Sequence, residues 1–270
     1  MTEKKLKDLK DILFSLKNVI IAFSGGVDSS FLASVAFEVL GSKTLAVTSN
    51  SLIHPRIEIK EARKVAKEIG IPHEVISFDE LDIPHFSNNP SDRCYHCKRE
   101  LFSKIQEIAE KKGFKYIAEG TNYDDLGDYR PGIKACAELN VLSPLIEVKL
   151  TEEEIRKLLK KRRLSTWNKP SMACLASRFP YGMKITGEKL IIVEKAEQYL
   201  KKLGVKQLRV RHHGDIARIE VDADDIKLFL NDSIRKKIVK EFRKLGFVYI
   251  TLDLRGYRTG SMNELLDLKS

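Results

Sequence analysis

Leu6, Leu9, Leu13 and Leu16, with Ile12, recur at helical spacing and predict an opening helix packed on a core. The run Val19–Phe23 is apolar throughout and predicts a buried strand. A helical pattern follows from about Asp28 to Leu40 and is stopped by Gly41. Thr44–Thr48 is a second strand, Pro55 opens a helix that ends near Gly70, and His73–Phe78 is a third strand. Tyr95–Lys112 is helical and stops at Gly113, and Lys115–Glu119 is a fourth strand. Strands alternating with helices predict an α/β fold, a doubly wound parallel sheet. Such sheets bind ligands beyond the C-terminal ends of their strands. The turn after Phe23, Thr48–Ser51 and Glu119–Asn122 all fall at that edge.

Thr151–Glu154 is a capping box that opens a further helix to about Lys161. Lys169–Lys184 is a loop of small residues and proline, and from Gly187 the pattern changes. A helix to Leu203, a hairpin of Lys206–Arg211 and Ile216–Val221 around His213-Gly214-Asp215, a helical stretch and a strand Phe247–Leu252 predict a smaller C-terminal α+β domain. The expected division is a first domain over 1–168, a linker loop over 169–186 and a second domain over 187–270.

With 270 residues and 43% hydrophobic positions, the chain has material for two cored domains. No run approaches the roughly 20 apolar residues of a membrane span, and Met1–Leu6 lacks a signal-peptide core, so a soluble, cytoplasmic protein is expected. The net charge of +10 favours polyanions, nucleotides or RNA, although Lys4, Lys5, Lys7 and Lys10 also read as the solvated face of a helix. Four cysteines are too few for a disulfide scaffold and point to metal binding or catalysis in a reducing compartment.

The densest chemistry lies at Ser24-Gly25-Gly26-Val27-Asp28-Ser29-Ser30, between strand and helix. Two glycines allow positive φ and close approach of the backbone to a ligand. The turn and the first helical amides then converge at the positive end of a helix dipole, with three hydroxyls added. This is a phosphate cradle, and it matches neither the Walker loop nor the dinucleotide fingerprint. It resembles the pyrophosphate loop of the ATP pyrophosphatases (PP-loop enzymes), which cleave ATP between the α- and β-phosphates. Asp28 suits magnesium.

Cys94 and Cys97 form a Cys-x-x-Cys at a helix start, where the dipole stabilises thiolates. Cys136 reads as a small core hydrophobe. Cys174 lies in a loop of small neighbours with Lys169 and Arg178 nearby, a setting for an accessible, activated thiolate. Cys94, Cys97 and Cys174 together can hold a 4Fe-4S cluster with one iron open. In the loop after the fourth strand, Asp124, Asp125 and Asp128 can assist Mg-pyrophosphate, and Arg130 can contact a phosphate. Arg209 and Arg211 share one face of a strand and can grip a phosphate or carboxylate, with Glu197 facing the same cleft; ion pairs to Glu220 are the structural alternative. His212 and His213 read as turn residues.

Ala173-Cys-Leu-Ala-Ser-Arg-Phe-Pro-Tyr-Gly182, Glu119-Gly-Thr-Asn-Tyr-Asp-Asp-Leu-Gly-Asp-Tyr-Arg-Pro-Gly132 and Leu208-Arg-Val-Arg-His-His-Gly214 resemble, in order and over nearly the whole chain, the LarE-type ATP-dependent sulfur transferases. The resemblance implies an adenine nucleotide alpha hydrolase-like fold. It also implies adenylation of a carboxylate of pyridinium-3,5-biscarboxylate mononucleotide and its conversion to a thiocarboxylate for the nickel-pincer cofactor. ATP and Mg²⁺ are expected on Ser24, Gly25, Gly26, Asp28, Ser29, Ser49, Glu119, Gly120, Thr121 and Asp125, and the substrate on Arg178, Glu197, Arg209 and Arg211. Family members either sacrifice the cysteine matching Cys174 or deliver sulfur from a 4Fe-4S cluster; Cys94 and Cys97 place this chain nearer the cluster type. A homo-oligomer, often a hexamer, is also implied. The competing readings are a cluster-dependent tRNA thiolase, an amide-forming ligase related to GMP or NAD synthetases, and an adenine-nucleotide-binding regulator. The chain lacks zinc-finger cysteine pairs and an RNA-binding appendage, which counts against tRNA.

Overall fold

The structure is a computed structural model and describes residues 2–127, 131–170, 173–258 and 260–264. The chain forms two compact units, one from Met1–Ile83 with Asp92–Met172 and one from Pro84–Ser91 with Ala173–Ser270. No helix among the described residues is long and apolar enough to cross a membrane.

The first unit begins with helix α1 (Thr2–Leu16), which buries Leu9, Leu13 and Leu16. Strand β1 (Val19–Ala22), helix α2 (Val27–Leu40), strand β2 (Thr44–Asn50), helix α3 (Arg56–Ile69) and strand β3 (His73–Ser77) follow. Helix α4 (Arg93–Lys112), strand β4 (Ile117–Ala118), the short helices α5 (Gly132–Glu138) and α6 (Pro144–Glu147) and helix α7 (Glu152–Lys161) complete it. The sheet is parallel, in the order β3-β2-β1-β4, with Ile20 opposite Leu45 and Ile117. Alternation along β1 decides which side each residue serves. Ile21 packs with Leu13, Phe31, Val35, Val65 and Leu158, drawn from α1, α2, α3 and α7. Ile20 packs on the opposite side with Phe102, Ile105 and Cys136 of α4 and α5. Helices on both faces make the sheet doubly wound, as the alternating pattern predicts. Cys136 is buried in that core, and burial pushes its thiol up to about 11, so it stays a neutral hydrophobe.

Three helix ends follow the glycines: Gly41, Gly70 and Gly113 all take positive φ just beyond α2, α3 and α4. The expected capping box is present, with Thr151 and Glu154 bonding each other's backbone amides at the start of α7. Glu80, by contrast, is only 1% exposed, and neither of its carboxylate oxygens makes a well-formed hydrogen bond. Burial pushes this carboxyl up to about 7, against the opposing pull of the Ser51 hydroxyl. A raised folded pKa costs stability as pH rises from the unfolded value near 4.5 to about 7. Glu80→Gln removes that ionisation, so its stability relative to wild type should rise by on the order of 2 kcal/mol between about pH 5 and pH 8 in denaturation melts.

In the second unit, helix α8 (Gly187–Lys202) is capped by the Thr186 side chain, which accepts from the Lys189 amide. Strands β5 (Leu208–His213) and β6 (Ile216–Val221) form the expected antiparallel hairpin, with Gly214 at φ +67° in the turn. Helices α9 (Ile226–Leu230) and α10 (Asp232–Lys244) then carry the chain to strand β7 (Tyr249–Leu252), which pairs parallel to β6 with Ile216 opposite Tyr249. The core joins Ala196 and Leu200 of α8 to Val210, Ile219, Phe242 and Phe247. Pro84–Ser91 belongs here through Asn89, whose side-chain amide donates to the Phe179 and Pro180 carbonyls at 3.2 and 2.7 Å. His212 and His213 lie on β5 rather than in the turn, because the pairing extends through both, and the His212 ring packs between Phe179 and Phe247.

Candidate functional site

Between β1 and α2 the backbone turns through Gly25 at φ +68°, a conformation that glycine adopts without strain. A Cβ there would lie 2.7 Å from Cα of Ala62 on α3, so the turn also needs glycine for space. The loop closes on itself: the Ser24 and Ser29 hydroxyls are 2.9 Å apart, and the Ser24 amide donates to Ser29 Oγ at 3.3 Å. Gly26 is the N-cap of α2 and no side chain caps that helix, which leaves its first-turn amides for an anion. From the far side, Gly120 presses on the same turn, since a Cβ there would meet the Ser29 amide nitrogen at 2.8 Å. Gly120→Ala should therefore weaken ATP binding by roughly 10-fold or more in a direct titration, because overpacking of this order displaces backbone.

Two buried side-chain oxygens in the first turn of α2, Ser30 Oγ and Asp28 Oδ1, make no hydrogen bond. Burial pushes the Asp28 carboxyl up to about 7, opposed by a hydrogen bond from Asn122 and reinforced by the charge of Asp125. Asn122 organises that neighbourhood: its side-chain oxygen accepts from the Asp124 and Asp125 amides, and its own amide donates to Asp125 Oδ2 at 3.0 Å. An oxygen-rich corner with an orphaned carboxylate oxygen fits a hard cation. Asp124 is otherwise engaged, accepting from the Glu152 amide at the start of α7. Asp128 and Arg130 lie outside the described residues.

Glu119 and Thr121 are buried and form an internal brace. The Glu119 carboxylate accepts from Lys98 Nζ at 2.9 Å, from the Thr121 hydroxyl and amide at 2.6 and 3.1 Å, and from the Ser143 hydroxyl at 2.7 Å. Burial would raise its pKa, but Lys98 and the hydroxyls outweigh that and hold it below the usual range. Ser49 lies near the C-terminal end of β2, half-buried, opposite Ile76. Cys94 and Cys97 occupy the first turn of α4, the former exposed and the latter half-buried. Lys98 is the next residue, so the helix of the cysteine pair is tied to the Glu119–Thr121 strand end. Among the described residues no group of three His, Cys, Asp or Glu side chains is placed to hold a metal.

In the second unit Cys174 is a half-exposed thiol, in no disulfide, at the start of the 3-10 turn Leu175–Arg178. Arg178, 1% exposed, forks onto Glu197 with Nε and Nη2 at 2.8 and 3.0 Å. Its Nη1 holds the carbonyls of Ala173 and Cys174 at 2.8 and 3.1 Å. Glu197 also accepts from the Val210 amide on β5. Arg209 stacks over the Tyr257 ring at 5.0 Å. Arg211 donates to Glu220 at 2.7 Å, to the Ser261 hydroxyl at 2.8 Å and to the Ser177 carbonyl at 3.1 Å. The four residues expected to grip a substrate are thus assembled around the Cys174 segment. Arg178 and Arg211 are each already paired with a buried carboxylate. Lys169, read from sequence as a cation near Cys174, instead places its ammonium 3.0 Å from the Gly25 carbonyl and 2.7 Å from Glu61. Lys98, Ser143, Tyr257 and Ser261 make contacts here that no local motif reveals, while Asn122 lies in the Glu119–Gly132 segment without standing out in it.

The NAD synthase family model matches residues 5–106, the part of the chain that contains the loop. An uncharacterized protein of Synechocystis is 43% identical over 98% of this chain and 99% of its own length. The pyridinium-3,5-bisthiocarboxylic acid mononucleotide synthase of Lactiplantibacillus plantarum is 38% identical over 94% of this chain and 92% of its own. The chain belongs to this LarE-type family of PP-loop sulfur transferases. It is an ATP-dependent enzyme with the α/β fold of that superfamily. A tRNA-specific 2-thiouridylase of Carboxydothermus hydrogenoformans is 29% identical over 57% of this chain, a more distant likeness within the same superfamily.

Proposed function

We propose that this LarE-type chain adenylates a carboxylate of pyridinium-3,5-biscarboxylate mononucleotide and converts it to a thiocarboxylate for nickel-pincer cofactor synthesis. The observation that carries the reading is the 38% identity, across nearly the full length, to a synthase named for the pyridinium-3,5-bisthiocarboxylic acid mononucleotide it makes. A substrate carboxylate oxygen attacks the α-phosphorus of ATP, the bond to the bridging oxygen of the β-phosphate breaks, and pyrophosphate leaves with the electron pair. The amides of Gly26 to Ser29 and the hydroxyls of Ser24 and Ser29 offset the charge that builds on pyrophosphate. Asp28 and Asp125 would hold magnesium, which supplies further charge neutralisation when bound. Adenylation turns a poor leaving group into AMP, and a sulfur nucleophile then attacks the acyl carbon. Arg209 and Arg211 would take the anionic mononucleotide, with Arg178 and Glu197 setting the segment between them and Cys174.

The sulfur would come either from a 4Fe-4S cluster or from Cys174 itself. A cysteine pair at the start of α4, neither in a disulfide, supports the branch of the family in which Cys94, Cys97 and Cys174 would hold a 4Fe-4S cluster, which would supply sulfide when bound. Among the described residues the three cysteines are not assembled as a metal-binding group. The test is intact-protein mass spectrometry after anaerobic turnover with ATP, Mg²⁺ and the biscarboxylate mononucleotide, with and without iron reconstitution. Thiolated product with unmodified Cys174, formed only when iron is present, is the expected result. Loss of one H₂S from Cys174 would assign the sulfur to the cysteine itself. Release of AMP and pyrophosphate without this substrate, but with tRNA, would replace the reading by a tRNA thiolase.

A further inference from the structure

The phosphate loop Ser24–Ser30 contains no lysine or arginine, unlike a Walker loop, which carries its own phosphate-binding lysine. A cation nevertheless reaches it from another part of the same unit. Lys169 follows the 3-10 turn Ser165–Asn168, and its main chain is fixed on both sides. Its amide donates to the Thr166 carbonyl at 3.0 Å. Its carbonyl accepts from Arg156 Nη2 at 2.9 Å, while Arg156 Nη1 holds the Trp167 carbonyl at 2.9 Å. Arg156 is itself forked onto Glu152, so the support runs back into α7. From this fixed base the Lys169 ammonium extends to the Gly25 carbonyl, at the positive-φ apex of the loop, and to Glu61 on α3.

Neither partner accounts for a cation at that place. The Gly25 carbonyl is neutral. Glu61 is 42% exposed, and a pair with so exposed a partner is screened by solvent and easily exchanged. An ammonium has three donors, and these two contacts take two of them. The Lys169 side chain is only 16% exposed, so the charge is kept against the loop rather than dispersed into water. Arg156, the other cation felt by Asp28, has its donors committed to Glu152 and to the two carbonyls.

We propose that Lys169 is a further catalytic residue: its ammonium leaves Glu61 for the β- and γ-phosphates of ATP and stays on them as the α–β bond breaks. This inference rests on the ATP-cleaving reading above. The bridging oxygen takes the electron pair of the broken bond, and Lys169 neutralises the charge that accumulates on the departing pyrophosphate without transferring a proton. The pairing with Glu61 is the resting position, so Glu61 competes with the ligand for the same ammonium.

The test titrates Mg²⁺-pyrophosphate and, separately, AMP into the full chain and its Lys169→Ala, Lys169→Arg and Glu61→Gln variants, with a thermal melt of each. A charge-assisted contact of this type predicts roughly 10- to 100-fold weaker pyrophosphate binding in Lys169→Ala. AMP affinity should change little, Lys169→Arg should recover most of the loss, and Glu61→Gln should bind pyrophosphate more tightly than wild type. A purely structural clamp on the loop predicts the reverse for Glu61→Gln, unchanged or weaker binding, and equal losses for AMP and pyrophosphate in Lys169→Ala; either result overturns the proposal. Because the titrations need only the phosphate ligand, they stand if the pyridinium mononucleotide proves to be the wrong substrate. A wild-type chain that binds no pyrophosphate would overturn both readings.

Discussion

Arg178→Met is expected to destabilise the second unit by about 3–5 kcal/mol, the cost of leaving one partner of a buried ion pair uncompensated. The methionine fills similar volume, so little of this loss comes from a cavity. What remains is the Glu197 carboxylate, buried, with the Val210 amide still donating to it but both guanidinium bonds gone. The carbonyls of Ala173 and Cys174 lose their donor in the same step. The deficit should depend on pH. Burial would raise the Glu197 pKa, and Arg178 outweighs that to hold it below its ordinary value. A depressed carboxyl contributes stability above the unfolded value near 4.5 and loses it as pH falls. The difference between wild type and Arg178→Met should therefore be largest near neutrality and shrink in acid, where Glu197 of the variant takes up a proton. Adding Glu197→Gln should restore part of the stability at neutral pH. Denaturant melts at two pH values measure all three quantities. A deficit below about 1 kcal/mol, flat with pH, would mean that the pair behaves as a solvated surface bridge.

The Arg178 case also shows where the sequence is readable and where it is not. Strands of a parallel sheet are covered on both faces, so Val19–Ala22 and Thr44–Thr48 stand out as apolar runs, and the glycines at 41, 70 and 113 mark helix ends through a backbone angle that is local to each. Strand length is less local. β2 continues through Ser49 and Asn50, because they pair with Ile76 and Ser77 whatever their polarity. β4 shrinks to Ile117–Ala118, because beyond its pairing with β1 it meets, among the described residues, only a single bridge at Leu142 on its other side. The parallel pairing of β7 with β6 is decided by how α9 and α10 pack, which no hydrophobic pattern states. The site divides in the same way. The loop is legible because a glycine suits the positive φ that Gly25 takes just after a buried strand, although Gly26 itself is extended at φ −80°. The partners of its charges are not, since Lys98 meets Glu119 across 21 residues and Lys169 meets Gly25 across 144. Arg209 and Arg211 read from sequence as a grip for an anion, with ion pairs to Glu220 as the alternative; the fold gives Arg211 that carboxylate, and it pairs Arg178, read as a cation near Cys174, with Glu197.

Asp28→Asn should separate folding from chemistry at the phosphate loop, and it carries the largest catalytic effect expected here. The Asp28 carboxylate is buried beside α2's first turn with one oxygen unpartnered, near Asp125 and Glu152, and burial pushes it up to about 7. Ionising it in the folded protein is therefore unfavourable from the unfolded value near 3.8 up to about 7, and the ligand-free fold loses stability as pH rises through that window. Asparagine keeps the shape and cannot ionise, so the ligand-free variant should be more stable than wild type at about pH 8 and nearly equal to it at about pH 4. Its ATP cleavage should fall roughly 10²- to 10³-fold, as expected when a charged group that stabilises the transition state is removed. AMP binding should fall far less, because the missing charge acts where pyrophosphate and its counter-ion sit. A group retained at a cost to the fold is expected where function requires it. The opposite pattern, a less stable Asp28→Asn protein that still releases pyrophosphate at the wild-type rate, would make Asp28 a structural cap of α2 and move the cation-binding role to Asp125.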